Sequence, residues 1–228
     1  DAHQTLKSPG WTQVRSLQLL YEEYVVAGES DDDLLFMPGI SWVHEKVDNP
    51  FKVHMGYRVG LALKGSLEGF ISSASFLQSK ISGKMIYRFG DAGRITARGE
   101  FGATYVDDIE DMPASLRFFA GGDNSVRGYD YESLGPTDKN GEVIGGTNLI
   151  TASIEYEHPV IDDDWWAALF VDAGNAFDFD NNNADMKIGY GAGVRWFSPF
   201  GRLKLDLAVP EEDGFDDWKL HFAFGTDL

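Results

Sequence analysis

Polar and apolar residues alternate with a period of two along most of this chain, and clusters of turn-forming residues separate the alternating runs. The pattern predicts an all-β, antiparallel protein with about ten strands and no amphipathic helix. The predicted strands span residues 12–27, 34–47, 55–66, 70–89, 93–106, 147–158, 165–178, 186–197, 201–209 and 217–225. One long interruption, residues 107–146, far exceeds an ordinary hairpin connection, and loops of this length are usually functional or disordered.

The predicted strands each have one apolar face and one polar face. In the run 201–209, Leu205 and Leu207 share the apolar face, whereas Lys204 and Asp206 lie on the opposite face. A soluble barrel turns the apolar face toward its core. A membrane barrel turns that face toward lipid and the polar face toward a wet lumen. Alternation alone therefore fits both arrangements.

Three features favour the transmembrane barrel. The runs, such as 70–89, are long beside the roughly five or six residues that are typical of soluble strands. Aromatic residues lie near the ends of the apolar faces, where transmembrane barrels place their interfacial girdles. The polar faces mix charges of both signs with glycine, which suits a hydrated interior. An ordinary soluble antiparallel barrel is the alternative.

Composition narrows the classes of function. The 228 residues include 37 acidic and 19 basic side chains, and the resulting net charge of −18 opposes nucleic-acid binding. The chain has no cysteine and no apolar run long enough for a transmembrane helix. The opening residues DAHQTLKSPG lack the basic start and apolar run of a signal peptide. We therefore expect either a protein that never crosses a membrane, or a processed chain or fragment.

The sequence offers little support for catalysis or metal binding. The five histidines do not have the spacing of an HExxH zinc site, and Ser125 and Ser133 lie outside any GxSxG motif. The run DFDNNNAD, residues 178–185, contains the oxygen ligands that calcium prefers, but such runs also form ordinary turns. We therefore predict no enzyme, no metal site and no cofactor.

The long loop contains the segment RFFAGGDNSVRGYDYESLGP, residues 117–136. It resembles the sixth extracellular loop of the outer-membrane insertase superfamily typified by BamA and TamA, whose hallmark is Val/Ile-Arg-Gly-Phe/Tyr. The hallmark residues here are Val126, Arg127, Gly128 and Tyr129, and the flanking FFAGG and YDYESLGP are closer to TamA. Later segments resemble, in order, the family's twelfth strand, its thirteenth strand, the next hairpin and the C-terminal β-signal: SIEYEHP (153–159), FVDAGNAF (170–177), GYGAGVRWFSPFGRLKLDLAVP (189–210) and WKLHFAF (218–224).

The resemblance implies a sixteen-stranded barrel preceded by periplasmic POTRA domains, in the outer membrane of a Gram-negative bacterium. Residues 1–228 would be the C-terminal part of that barrel, about strands seven to sixteen, with the POTRA domains absent. The implied function is to assist the insertion or secretion of outer-membrane proteins such as autotransporters. The implied partners are the lipid bilayer, client outer-membrane proteins bound through the terminal strand, and a periplasm-spanning TamB-like protein. The alternatives are a passive pore or two-partner secretion porin, and a soluble β-barrel binding module.

The resemblance also implies that the long loop folds back into the barrel, where Arg127 meets acidic residues on two neighbouring strands. Parity places Glu155 and Asp172 on the inner face, at the family's acidic positions, and an unpaired carboxylate there would be costly. The planar guanidinium suits two carboxylates. We expect tight turns at three loop glycines: Gly121, Gly122 and Gly128. The β-signal implies a gate strand with four outward or terminal apolar residues: Trp218, Leu220, Phe222 and Phe224.

Overall fold

A computed structural model of the chain describes residues 1–26, 29–49, 52–69, 71–109, 112–179, 185–198, 201–212 and 214–227, without the side chains of residues 23–33 and 215. Within these residues helix is limited to three short 3-10 segments, and none could span a membrane. The eleven strands are β1 (Ala2–Ser8), β2 (Trp11–Val26), β3 (Glu29–Val47), β4 (Met55–Ser66), β5 (Phe76–Arg88), β6 (Arg94–Val106), β7 (Asn148–Ile161), β8 (Trp165–Phe177), β9 (Lys187–Ser198), β10 (Gly201–Pro210) and β11 (Lys219–Gly225).

All strands belong to one antiparallel sheet, in which each strand pairs with its neighbours in sequence from β1 to β11. In the described part of the chain the sheet is not closed, and β1 and β11 are its edges. One rim, here called the short-turn rim, carries the connections 9–10, 48–54, 89–93, 162–164 and 199–200. The opposite long-loop rim includes the connections 67–75, 107–147, 178–186 and 211–218. Such asymmetry is typical of outer-membrane barrels.

Burial alternates along the central strands, and the polar face is the buried one. On β7, Glu157 is 0% exposed, whereas Ile154 on the other face is 64% exposed. On β8, Asp172 is fully buried and Leu169 is 62% exposed. An apolar outer face around a charged interior is the reverse of a soluble barrel and matches a barrel surrounded by lipid. The transmembrane-barrel prediction is confirmed, and the soluble alternative is wrong.

The N-terminal part of the sheet differs from the prediction in two respects. The additional strand β1 pairs with β2 from Ala2↔Leu17 to Ser8↔Trp11, which raises the count from about ten strands to eleven. Its sequence AHQTLKS is short, polar and exposed throughout, so it has no apolar face that alternation could reveal. Residues 31–33, predicted as part of a turn, belong to β3 because the β2–β3 ladder continues to Val26↔Glu29.

Two later strands begin after the predicted residue. β5 begins at Phe76 rather than at residue 70, because the preceding segment turns back toward β3. There the Ser72 hydroxyl accepts a hydrogen bond from the Phe36 N–H, at 2.9 Å. β11 begins at Lys219, so Trp218 lies immediately before the terminal strand rather than within it.

The connection 107–147 lies against the inner face and has an apolar core of its own. Two isolated bridges, Phe118↔Gly146 and Ala120↔Leu134, draw its ends together. A buried cluster joins the loop to β7 and β8: Phe118, Ala120, Val126, Leu134, Leu149 and Ala176. This packing holds the middle of the loop, residues 121–129, against the wall of the sheet.

Candidate functional site: the inward loop and the terminal strand

Arg127 reaches the inner wall from the middle of the loop and is 6% exposed. Its guanidinium has five N–H donors, and each meets an acceptor. Nε and Nη2 donate to the Asp172 carboxylate at 2.7 and 2.9 Å, and Nη1 donates to Glu155 at 2.8 Å and Asp206 at 2.9 Å. Nη2 also lies 3.4 Å from the Ser153 hydroxyl. The side chain is therefore fixed in orientation as well as in position.

Two further contacts restrain the same residue. The Arg127 backbone N–H donates to Asp172 Oδ2 at 3.1 Å, so this carboxylate binds both backbone and side chain. The guanidinium carbon lies 3.4 Å from the ring centroid of Phe170, which is itself buried. A guanidinium over an aromatic face is attracted by the ring quadrupole, most strongly where water is excluded. The Arg127 side chain thus contacts three strands of the wall, β7, β8 and β10.

Strand parity accounts for the inward position of the acidic residues that contact Arg127. Glu155 on β7 and Asp172 on β8 are the two acids expected from the sequence, and both lie at the guanidinium. Asp206 on β10 was assigned to the polar face of its strand, but not to this contact. Arg195 on β9 completes the group, donating to Glu155 from Nη2 at 2.7 Å and from Nε at 3.1 Å, and contacting Asp206.

The charges of this group balance. Arg98 on β6 brings a third guanidinium within 3.6 Å of Asp172. The six residues are called the loop anchor: Arg98, Arg127, Glu155, Asp172, Arg195 and Asp206. Buried charges are tolerated only when they are paired, so the loss of Arg127 would leave the anchor with excess negative charge. Among the residues that the structure describes, no cluster of His, Asp or Glu side chains is arranged to hold a metal ion.

Two glycines allow the loop backbone to approach the wall this closely. Gly128 has a φ of +98°, and a Cβ there would lie 2.8 Å from the carbonyl carbon of Val209. Gly189 on β9 faces the carbonyl oxygen of Arg127, and a Cβ at Gly189 would overlap that atom. A side chain at either position would displace the loop from the wall.

The other residues singled out in the loop form its turn and its core. Gly121 and Gly122 have φ values of +102° and +92°, and the Gly122 N–H donates to the Val126 carbonyl at 3.2 Å. Val126 is fully buried in the apolar core of the loop. Tyr129 packs against that core, with its hydroxyl 3.4 Å from the carbonyl oxygen of Ile188. The hallmark residues therefore contact either the inner wall of the sheet or the apolar core of the loop.

The terminal strand β11 presents its apolar residues outward. Each of the four residues expected at the gate is more than half exposed: Trp218, Leu220, Phe222 and Phe224. β11 pairs with β10 from Ala208↔Lys219 to Arg202↔Gly225. In the described part of the chain its other edge is unpaired.

The inward residues of β11 contact the loop, and these contacts were not predicted from the sequence. His221 Nε2 lies 3.1 Å from the backbone nitrogen of Gly128, and its Nδ1 contacts the Asp123 carboxylate. Because a backbone N–H can only donate, Nε2 accepts and Nδ1 carries the proton. Lys219 Nζ lies 3.1 Å from the Asp130 carboxylate. Strand parity could have indicated that Lys219 and His221 point inward, since both residues lie on the polar face of the last strand.

The model of the Omp85 superfamily domain matches residues 9–227. The chain belongs to the Omp85 superfamily. This Omp85 chain is similar to three curated relatives, each an outer membrane protein assembly factor BamA. It is 33% identical over 121 residues to that of Nitratidesulfovibrio vulgaris, 26% over 191 to that of Neorickettsia risticii, and 28% over 237 to that of Neisseria meningitidis serogroup B. The matches cover 50%, 79% and 84% of the chain, but only 15%, 25% and 28% of the relatives.

The fold of this Omp85 chain is similar to the crystal structure of BamA from Haemophilus ducreyi lacking POTRA domains 1–3, with a TM-score of 0.76 and 18% identity. The match covers 96% of the chain and 52% of that BamA chain, which agrees with a sheet forming part of a larger barrel. The outer-membrane insertase superfamily and the outer-membrane location are confirmed. Because the three relatives are BamA proteins, the closer likeness to TamA stays a prediction.

Proposed function

We propose that this chain is part of the barrel of an outer-membrane protein assembly machine, in which β11 pairs with an incoming strand of a client protein. The names of the three curated relatives, each an assembly factor, support this function. The observation that carries the proposal is the state of β11, which is held by β10 and by the loop and has no second partner strand among the residues that the structure describes. A free strand edge presents a row of N–H and C=O groups that can template another strand.

In this proposal the loop supports the terminal strand from inside the barrel. The loop anchor fixes Arg127 to β7, β8 and β10, and the adjacent Gly128 contacts His221 on β11. Buried ion pairs add little net stability, because the Coulombic gain is offset by desolvation. Their contribution is to hold the loop in one position. No covalent step is needed, since strand pairing exchanges hydrogen bonds alone.

The native protein extends beyond this chain in the proposal. Residues 1–228 would supply about the last eleven strands of a sixteen-stranded barrel, with POTRA domains and the remaining strands elsewhere in the protein. The short-turn rim would face the periplasm and the long-loop rim the outside, as in other outer-membrane barrels. The TamA-like residues around the hallmark favour a finer assignment to autotransporter clients and a TamB-like partner. Co-purification of the full-length protein with a TamB-like protein tests that assignment.

Site-specific photo-crosslinking in the outer membrane tests the main proposal. A photoreactive residue is placed at Phe222 on β11, and the matched control is placed at Ile154, which is equally exposed on the outer face of β7. A client barrel protein should crosslink several-fold more at Phe222, and the adduct should disappear when the client lacks its C-terminal strand. Equal adducts at both positions would refute strand pairing at β11.

The same protein preparation can distinguish the passive-pore alternative from the assembly function. A pore or secretion porin predicts steady ion conductance of the purified protein in planar bilayers and no client adduct at Phe222. In the described residues the loop and its anchor instead occupy part of the inner face, which leaves less room for a wide aqueous path. Steady conductance without client adducts would favour the pore over the assembly function.

A further inference from the structure

A second cluster of buried charges lies nearer the short-turn rim and adjoins the loop anchor, with Arg195 3.8 Å from Glu157 and Arg202 3.8 Å from Glu155. It joins Arg94 on β6, Glu157 on β7, Arg202 on β10 and Asp227 in the tail after β11, all at most 3% exposed. Arg94 Nε donates to Glu157 at 2.6 Å, and its Nη1 and Nη2 donate to Asp227 at 2.9 and 3.1 Å. Arg202 contacts the same two carboxylates. Each acid bridges both arginines, and the four charges cancel in this group, called the tail cluster.

Aromatic rings and backbone complete the surroundings of the tail cluster. Phe197 lies 5.2 Å from both guanidinium carbons, measured from its ring centroid, and Trp166 lies 5.9 Å from that of Arg94. Arg94 Nη1 also donates to the Val53 carbonyl at 2.9 Å. The site therefore excludes water, so its ion pairs are weakly screened.

Asp227 connects parts of the sheet that are distant from each other. β6 and β10 are four strand spacings apart, which is about 19 Å along the sheet at ~4.8 Å per strand. Arg94 and Arg202 nevertheless bind the same carboxylate, because the sheet is curved and both side chains extend across its concave side. The tail thereby fixes the end of β11 to the opposite wall.

β11 has few other restraints at that end. It is seven residues long and pairs on one side only in the described part of the chain, and such edge strands open locally at low free energy. At the long-loop end, Lys219 and His221 contact the loop. At the short-turn end, Ala223 and Gly225 have no side chain that could form an ion pair. Asp227, two residues beyond the strand, supplies the missing ionic contact.

We propose that Asp227 is a positioning residue for the terminal strand: its carboxylate ties the tail to Arg94 and Arg202, and so keeps the short-turn end of β11 ordered for pairing with a client strand. This inference rests on the proposed function of β11 as the templating strand. An edge that is already ordered binds an extended client segment without losing its own conformational entropy at that step. The ligand class is therefore an extended β-strand of an outer-membrane protein.

The test uses Asp227→Asn in the full-length protein, with Asp91→Asn as the matched control. Asp91 is an exposed aspartate in the turn 89–93 at the same rim. Hydrogen exchange of the β11 amides that bond to β10 should become on the order of tenfold faster in Asp227→Asn, because charge-assisted hydrogen bonds are lost. Exchange in β7 and β8 should not change, and client crosslinking at Phe222 should fall several-fold. Asp91→Asn should match the unmodified protein.

Three outcomes would overturn the inference. Equal β11 exchange in Asp227→Asn and Asp91→Asn would show that the tail does not order the strand. An equal acceleration in β7 and β8 would show a general loss of stability instead. If Asp227 acts through Arg94, the double variant with Arg94→Met should exchange no faster than the faster single variant, so additive effects would contradict the mechanism.

The inference and the proposed function can fail separately. If β11 exchange depends on Asp227 but the unmodified protein gives no client adduct at Phe222, the function proposed for β11 is refuted while the contact that orders the strand stands. If client adducts form normally in Asp227→Asn with unchanged exchange, the positioning role is refuted and the function stands.

Discussion

Replacing Arg127 by Met gives the sharpest test of the loop anchor. Met retains a long apolar side chain but removes the charge and all five N–H donors. Three buried carboxylates would then retain Arg195 and Arg98, with Arg202 farther away at 3.8 Å from Glu155. Removing one partner of a buried ion pair costs about 3–5 kcal/mol, because the remaining charge is left uncompensated. The loop can avoid that state by leaving the wall, which lets water reach the acids.

The expected size of the effect follows from this free energy. Because about 1.4 kcal/mol corresponds to a tenfold change in an equilibrium constant, the closed state of the loop should lose roughly 10²- to 4 × 10³-fold in population relative to the open state. Arg127→Lys keeps the charge but offers three donors on a flexible stem, so it cannot reproduce the five contacts. Arg127→Lys should therefore destabilise the closed state of the loop by less, about 1–3 kcal/mol.

Hydrogen exchange of the amides in residues 121–129 measures this population directly. Where local opening is faster than exchange, the exchange rate rises by the same factor as the open population. Lys139→Met, at an exposed position of the same loop, is the control and should leave the rates unchanged. Proteolysis between residues 107 and 146 should also become faster. Unchanged exchange together with an unchanged melting temperature in Arg127→Met would show that these contacts do not hold the loop.

Three other changes test separate parts of the structure. Gly189→Ala should open the loop in the same exchange measurement, because its Cβ overlaps the Arg127 carbonyl oxygen, whereas Gly83→Ala has open space and should have no effect. Leu169→Arg on the lipid-facing side of β8 should lower the free energy of unfolding from vesicles by about 2–4 kcal/mol; an unchanged value would argue against lipid contact there. Burial raises the pKa of Asp227, but Arg202 and Arg94 lower it further, so the net pKa is below its usual value. The stabilisation of the folded protein by ionised Asp227 is therefore complete above the unfolded pKa of about 3.9 and is lost as the pH falls toward the folded pKa. The difference in melting temperature between the unmodified protein and Asp227→Asn should accordingly be full at pH 7 and shrink below about pH 4.

Strand parity explains why the faces of the sheet could be predicted. Successive side chains of a strand point to opposite faces, so one correctly assigned residue fixes all the others. Glu155 and Asp172 were placed on the inner face in this way, and both are buried there. The resemblance of the loop to a known family then indicated which inward residue they would meet.

Parity could not predict distances across the curved sheet. Asp206 lies two strands away from Asp172, and only the curvature of the sheet brings both to one guanidinium. The contact between Asp227 and Arg94 spans still more of the sheet, and a tail beyond the last strand has no parity to interpret. β1 was missed for a different reason, because a short polar edge strand has no apolar face. The contacts of Asp206 and Asp227 could be found only once the curvature of the sheet was known.

The inversion of polarity explains why both ends of β11 depend on charged clusters. In a barrel surrounded by lipid the apolar side chains face outward, so contacts across the interior must be made by polar and charged groups. Such groups are stable only as complete sets, since a carboxylate that loses its guanidinium is left buried and unpaired. The loop anchor contacts β10 through Asp206, and the tail cluster contacts it through Arg202. We infer that β10 is the fixed strand against which β11 is ordered, and that breaking either cluster frees one end of β11 while the β7–β8 pairing stays intact.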